Sequence, residues 1–440
     1  MSHFDPIAPL AEFALTAVPT PDALDVMRLS VFDWAACGIA GRDEPVSALV
    51  RDLAAEDGGT PEASVIGLDA KLPARAAAQV NGTTSHALDY DDTHFAHIGH
   101  PSVVVVPAAL AVAEGLGASS EAFLQAALIG AEASIRMGLW LGRGHYQVGF
   151  HQTATAGVFG AAVAAARLLQ ADADQMHHAL ALASTRAAGL KSQFGSMGKP
   201  YNAGFAAAGG VEAALLATRG FRSAPDVVFG PEGFSTTHHG QSDGTAFLDL
   251  GEYWLMETVS HKYHACCHGL HAVLECVAAL DDDVDLDTIE RIEVTTHPRW
   301  LSVCNQEAPT TGLGAKFSFS TVVAMALLGY DTAMPQSFSH ETCVNPEVQS
   351  LRKLVVVAGD VGLAETESEL RLCMPDTTSL LATHDIAVQL PYAARAERLK
   401  AKAESLLGPI AAPVLAQAVF DADGPDLAAL GVMLRQPSLE

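Results

Sequence analysis

Over roughly the first 260 residues, apolar positions recur with helical spacing. Leu24, Met27, Val31 and Trp34 fall three or four residues apart. Thr20-Pro21-Asp22 precedes them as a cap with proline in the first turn, so the pattern predicts a helix from about residue 21. Ser119 and Ser120 are placed to cap a second helix running through Leu128, Ile129 and Ile135. The small-residue runs Ala156–Leu169 and Ala203–Thr218 predict helices that approach one another closely. No period-two alternation persists in this part, so it reads as all-α.

The pattern then changes. Asp281–Asp287 reads as an acidic turn. Ile292, Val294 and Thr296 alternate with polar residues and predict a strand. Leu354–Val357 is a second strand candidate, and the alternation Ile386, Val388, Leu390 a third. Phe319–Leu328 and Asn345–Leu354 read as helices between them. The tail, Ala393–Leu407 and Pro413–Leu434, returns to helical patterning. The expected fold is therefore mainly α with an α+β part. The expected domains are 1–264 (large all-α helical domain), 265–392 (smaller α+β lid domain) and 393–440 (helices returning to the helical domain).

Length and composition narrow the function. The chain has 440 residues, 49% hydrophobic and 17% charged, which fits a globular protein of two or three domains. Its 25 basic and 51 acidic residues give a net charge of −26. Nucleic acid and anionic membrane surfaces are thereby excluded as expected partners, since both require a basic footprint. A small anionic substrate is not excluded, because a pocket can be locally positive. Seven cysteines, an odd number without C-x-x-C, argue for a reducing compartment. The N-terminus has no basic leader region, and the apolar stretches at Val103–Val112 and Phe205–Ala217 are too short or too interrupted to span a bilayer. A cytoplasmic protein is expected.

The chemistry concentrates in a few segments. Of 18 histidines, His86, His94, His97 and His100 share one stretch with Asp89, Asp91 and Asp92; His261, His264, His268 and His271 share another. Imidazoles mixed with carboxylates can do acid–base work or hold a metal, and can equally be solvated turn residues or caps. Asp91 and Asp92 fit a turn. His100-Pro101-Ser102 reads as a loop entering a helix, with Ser102 as N-cap and the helix start as an anion site. His145 and His151 precede one small-residue helix, and Lys191 and Lys199 lie in a glycine-containing loop before another. Lys262 stands at the apparent domain boundary, with His271 on the same stretch. A lysine in a closed site neutralises a carboxylate or acts as a base; the plain alternative is a surface lysine. Dinucleotide, P-loop, nucleophile-elbow and H-E-x-x-H motifs do not occur in the sequence. The adjacent Cys266 and Cys267 read as structural thiols.

Four segments in order carry a resemblance: NGTTSHALDYDDTH with the following HPS, GFHQTATAGVFGAA, FGSMGKPYNAGFAAAGGVEAALLATRGF, and KYHACCHGLHA. Together they resemble the MmgE/PrpD family, which includes 2-methylcitrate dehydratases, cis-aconitate decarboxylases and iminodisuccinate epimerases. The resemblance covers about 80–230 and 262–271, with the AKFS segment at 315–318 standing out beyond it. It implies a helical domain with a smaller α+β lid, an active site between them, a homodimer and no organic cofactor; no metal is expected either. It places Asp89, Thr93, His100, His151, Lys199 and Lys262 on family active-site positions. As roles, His151, Lys199, Asp89 and Lys262 are expected to be catalytic, with Thr93, His100 and His271 binding substrate. His151 would transfer the proton, with Lys199 as the alternative base. The chain departs from the decarboxylase branch at two places: Cys267 stands where that branch has histidine, and Thr321 where it has tyrosine. GHYQVGFHQTATAGVFGA is close to the epimerase branch. The implied function is a cofactor-independent lyase or isomerase acting on a small di- or tricarboxylate. Dehydration of the 2-methylcitrate type comes first, then epimerisation, then decarboxylation. A metal-dependent hydrolase or hydratase using His94, His97, His100 and nearby aspartates, and a non-catalytic carboxylate-binding protein, are the readings from other classes.

Overall fold

Small residues decide how the first helices meet. In the computed structural model, which describes residues 5–224, 227–228, 230–280, 284–375, 378–421 and 424–436, helices Ala74–Ser85 and Gly198–Thr218 cross at Gly82 and Gly204. A Cβ on Gly204 would lie 2.1 Å from Thr83 Oγ1 and 2.2 Å from the Gln79 carbonyl oxygen, so only glycine permits this approach. Helices Ser120–Gln147, Gln152–Leu168 and Gly198–Thr218 then stack in turn, burying the alanine-rich runs noted in the sequence.

The chain divides into two compact units, residues 1–261 with 392–440, and residues 262–391. The first is the large helical one. Thr20 caps helix Pro21–Ala40 by accepting the Ala23 N–H, and Ser119 caps Ser120–Gln147 by accepting that of Ala122. A short antiparallel hairpin, Ala63–Val65 with Leu68–Leu72, was not signalled by the alternation in the sequence. The tail forms one helix, Tyr392–Phe420, broken at Gly408 (φ +80°), and a second, Leu427–Arg435. Tyr392–Phe420 is long and apolar enough, by length and composition only, to cross a membrane. Here it packs along Pro21–Ala40, with the Phe32 and Phe420 rings 5.0 Å apart.

The second unit is α+β. Its four-stranded sheet has the order Val355–Gly359, Arg291–Thr296, Glu367–Cys373, Ser379–Asp385. The first pair is parallel, with Ile292 opposite Val355; the others are antiparallel, with Ile292 opposite Leu372 and Leu372 opposite Leu380. Ile292, Val294, Leu370 and Leu372 are buried on one face, where helix His271–Ala278 packs. Helices Phe319–Leu327 and Pro346–Arg352 form as expected, the second capped by Asn345. The third expected strand is misplaced. Ile386, Val388 and Leu390 lie in a turn and loop, and the edge strand ends at Asp385. Of the acidic turn 281–287, residues 281–283 lie outside the described residues; Asp285 caps the short turn Leu286–Thr288.

Candidate active site

The helical unit gathers Asp89, His100, His151 and Lys199 from three segments. Helix Ala74–Ser85 ends at His86, and the chain turns through 87–101 before helix Ser102–Leu116. Within that turn Asp89 takes a left-handed φ of +53°, its N–H donating to the His86 carbonyl at 3.1 Å. Such backbone conformations are costly for most residues and tend to be kept at functional sites. His151 immediately precedes helix Gln152–Leu168, and Lys199 lies in the first turn of Gly198–Thr218.

The centre of the group is Asp91, which the sequence offered both as part of the imidazole–carboxylate cluster and as a turn residue. It is 1% exposed. Its Oδ1 accepts a hydrogen bond from His86 Nδ1 at 2.8 Å, and its Oδ2 lies 2.8 Å from His100 Nδ1. Burial alone would raise its pKa, but the two imidazoles outweigh that and hold the carboxyl well below the usual carboxylate range. With Nδ1 turned to the Asp91 carboxylate, His100 Nε2 is the ring nitrogen on the Asp89 side. That Nε2 lies 3.5 Å from Asp89 Oδ1, and Asp89 Oδ2 pairs with Lys199 Nζ at 2.5 Å. The Asp89 side chain is 38% exposed and that of His100 10%, so the group opens at the Asp89–Lys199 end.

His151 is in a different state. Its ring stacks on His86 at 6.0 Å, with the Phe194 edge at 4.9 Å. Burial, then the charges of His86, Lys199 and His100, push its pKa well below the usual value, so the ring is neutral. Asn202 Nδ2 donates to the Leu190 carbonyl at 3.3 Å, which fixes the orientation of the amide. The same nitrogen lies 3.2 Å from His151 Nδ1, so Nδ1 accepts and the ring proton sits on Nε2. His151 is therefore set to donate a hydrogen bond. Asn202 follows Lys199 by three residues, a helical spacing that places both on one face and that the sequence could have shown.

Asp92 corrects the expectation for Ser102. The Ser102 hydroxyl does not cap its helix; it donates to Asp92 Oδ2 at 2.5 Å, and the Ser102 N–H donates to Asp92 Oδ1 at 3.3 Å. The anion site at this helix start is thus filled by the chain's own carboxyl. Burial, opposed by the bonds to Ser102 and Ser30, raises the Asp92 pKa to about 7. Thr93 follows on the same loop, paired through its main chain with Ser260 (2.9 and 2.8 Å).

Other candidates lie elsewhere. His94 Nε2 contacts Thr258 Oγ1 at 2.9 Å, its Nδ1 accepts the His97 N–H, and burial lowers its pKa to about 4. The His97 ring packs against Gly99 and Gly138. Of the expected metal set (His94, His97, His100 and nearby aspartates), His94 and His97 are therefore engaged elsewhere, while His100 stays with Asp89 and Asp91. The group whose ligand atoms do lie within 4.8 Å of one another is His86, Asp89, Asp91 and His100, and there Lys199 already pairs with Asp89. His145 ends up inside helix Ser120–Gln147, bonded to Thr155 Oγ1 at 2.7 Å. Lys191 Nζ donates to the Tyr146 carbonyl at 3.0 Å.

Lys262 and His271 belong to the second unit. Lys262 opens that unit. His271 starts helix His271–Ala278, its ring 4.6 Å from that of His268 and 5.1 Å from that of His264. Burial, then His268, His264 and Lys262, push its pKa well below the usual value.

The chain is thus a two-unit protein, its large helical unit carrying a buried imidazole–carboxylate group and a lysine–aspartate pair, and its smaller unit α+β. Residues 9–245 match the MmgE/PrpD N-terminal domain and residues 264–419 the MmgE/PrpD C-terminal domain, so the chain belongs to the MmgE/PrpD family. It is 27% identical over 363 residues to a cis-aconitate decarboxylase of Aspergillus terreus, covering 76% of this chain and 74% of that protein. It is 29% identical over 362 residues to the cis-aconitate decarboxylase-like protein oryM of Aspergillus oryzae, covering 75% and 74%. It is 29% identical over 298 residues to the cis-aconitate decarboxylase of Homo sapiens, covering 64% and 61%.

Proposed function

We propose that this chain is a lyase acting on a small di- or tricarboxylate by acid–base chemistry at carbon. The observation that carries the reading is the half-exposed Lys199–Asp89 pair beside a buried Asp91–His100 dyad. A proton next to a carboxylate is weakly acidic. Its removal needs a base held in place and a cation for the charge that develops. His100 Nε2 is the base in this proposal, with Asp91 orienting it through Nδ1. Lys199 supplies the cation and exchanges Asp89 for a substrate carboxylate. His151 donates through Nε2 to the oxygen on which charge develops, and Thr93 adds a substrate contact. No step calls for an organic cofactor.

Loss of hydroxide from the resulting carbanion is dehydration, the reaction expected for a hydroxy acid of the 2-methylcitrate type. The decarboxylase names of the relatives support a second reading, in which a cis-aconitate-type substrate loses CO2 and is protonated at carbon. A homodimer in the cytoplasm belongs to the same proposal.

Proton NMR in D2O with 2-methylcitrate, citrate, cis-aconitate and iminodisuccinate, with and without EDTA, tests it beside Lys199→Ala. Water or CO2 loss in wild type only, unaffected by EDTA, is the expected result, and the substrate consumed identifies the reaction. Deuterium entry without either loss would mean epimerisation and overturn the lyase reading. Activity lost in EDTA and restored by a divalent ion would move the chemistry to His86, Asp89, Asp91 and His100 as ligands.

A further inference from the structure

The adjacent thiols Cys266 and Cys267 have no C-x-x-C partner in the sequence, but the second unit supplies one from 37 residues downstream. Cys267 precedes the short turn His268–Leu270, and its N–H donates to the Lys316 carbonyl at 3.0 Å. Cys304 follows the turn Pro298–Ser302. Its N–H donates to the Trp300 carbonyl at 2.7 Å, and its carbonyl accepts from the Phe319 N–H at 3.1 Å. The next residue, Asn305, bridges to Ser318. Both cysteine backbones are thus fastened to the same segment, 316–319. Across this frame Cys304 Sγ donates to Cys267 Sγ at 3.0 Å. An S–S bond is about 2.05 Å long, so closing one asks for a shift of about 1 Å.

The two sulfurs are not equivalent. Cys304 is 0% exposed, whereas Cys267 is half-buried and within reach of solvent. The bond to Cys267, then burial, keeps the proton on Cys304. Lys262 and Lys316 act on neighbouring Cys266, and Arg299 on Cys304, so the surroundings are cationic. Burial raises the pKa of Cys266 far above the ordinary thiol range and removes it as a competing nucleophile.

We propose that Cys267 and Cys304 form a redox modification site, at which a hydroperoxide converts the pair into an intrachain disulfide. The Cys267 thiolate attacks a peroxide oxygen, breaking the O–O bond to give a sulfenic acid and hydroxide. The Cys304 sulfur then attacks the sulfenic sulfur and releases water; its proton goes to the departing oxygen, and the hydroxide recovers the proton first lost by Cys267. In sum two thiols and one hydrogen peroxide give one disulfide and two waters, each sulfur losing one electron and the peroxide gaining two. The bridge ties the segment that begins with Lys262 to the turn that follows strand Arg291–Thr296.

The test is thiol counting and peptide mapping of the native full-length chain, reduced and then exposed to hydrogen peroxide before alkylation. The expected result is loss of two of the seven alkylatable thiols, with the Cys267 and Cys304 peptides joined in a monomeric chain and separated again by dithiothreitol. Cys266→Ser is expected to keep the bridge. Cys304→Ser is expected to leave Cys267 as a sulfenic acid that dimedone traps. Retention of both thiols at a peroxide dose that oxidises glutathione, or a bridge from Cys267 to Cys266 or to a second chain, would overturn the proposal. None of these readouts depends on the activity of the enzyme.

Discussion

Lys402→Met is expected to cost the helical unit about 3–4 kcal/mol at pH 7, in the range usual for removing one partner from a buried ion pair. Lys402 and Asp33 have side chains only 1% exposed, with Nζ 2.5 Å from Asp33 Oδ1. Nζ also donates to the Tyr90 carbonyl at 2.7 Å and lies 3.9 Å from the Tyr90 ring centroid. Through these contacts the returning tail fastens the loop between Asp89 and Asp91 to helix Pro21–Ala40. Methionine keeps the length of the side chain and removes the charge, stranding Asp33. The penalty has a ceiling, because Asp33 can escape by taking up a proton. At pH 7 that costs about 1.36 kcal/mol for each unit above an ordinary Asp pKa of about 3.9, or roughly 4 kcal/mol, and at pH 5 only about 1.5 kcal/mol.

The loss should therefore shrink as pH falls. The wild-type lysine adds no slope of its own in that range. Burial alone would lower its pKa, but Asp33 outweighs burial and raises it. A raised lysine contributes stability that is fully present below the ordinary lysine pKa of about 10.4 and is lost only as pH rises through the folded value. Urea unfolding at pH 5 and pH 7, followed by tryptophan fluorescence, reads the effect, since Trp34, Trp140 and Trp254 lie in the helical unit and only Trp300 lies outside it. Adding Asp33→Asn to Lys402→Met should restore more than half of the loss. A loss under about 1 kcal/mol at pH 7, or one independent of pH, would refute the argument.

Three further outcomes follow from the helical unit. Asp91→Asn should lower kcat by roughly 10²–10⁴ with a smaller change in KM, because His100 loses the partner that fixes its tautomer; unchanged kcat would remove His100 as the base. Its stability cost should be the same at pH 7 and pH 5, since a depressed carboxyl loses its contribution only as pH falls through its folded value, well below the usual range. Asp92, raised to about 7, holds a proton in the folded state that the unfolded chain releases from about pH 4, so it makes stability fall as pH rises between those values; Asp92→Asn should flatten that slope in urea titrations at pH 5 and pH 8. Gly204→Ala drives a Cβ to 2.2 Å from the Gln79 carbonyl oxygen and should cost about 1–3 kcal/mol or more by urea midpoint, whereas a neutral result would mean that the two helices separate freely.

What the sequence made legible was whatever depends on neighbouring residues. Thr20 and Ser119 announce their helices because an N-cap acts over three residues. Strand Glu367–Cys373 is missing from the expected elements although it carries a readable signal, with Ser368, Leu370 and Leu372 buried between Glu369 and Arg371. The edge strand Ser379–Asp385 does not: half-solvated, it has no apolar face to show, so the alternation at Ile386, Val388 and Leu390 attracts the assignment that belongs before it.

The site divides in the same way. Asp89, His100, His151 and Lys199 could be picked out by residue type and by resemblance, but their grouping spans 110 residues of chain and had to await the fold. Asp91 and Asp92 show why a local pattern is not enough. They are adjacent carboxyls, each 1% exposed. Asp91 faces two imidazoles and is held ionised; Asp92 faces two hydroxyls and a carboxylate neighbourhood, and its pKa rises to about 7. Identical side chains one residue apart acquire opposite preferences for a proton from partners at residues 86, 100, 102 and 30. The acid–base character of the loop is therefore a property of tertiary contact, and substituting those partners should alter it while the loop's own residues stay unchanged.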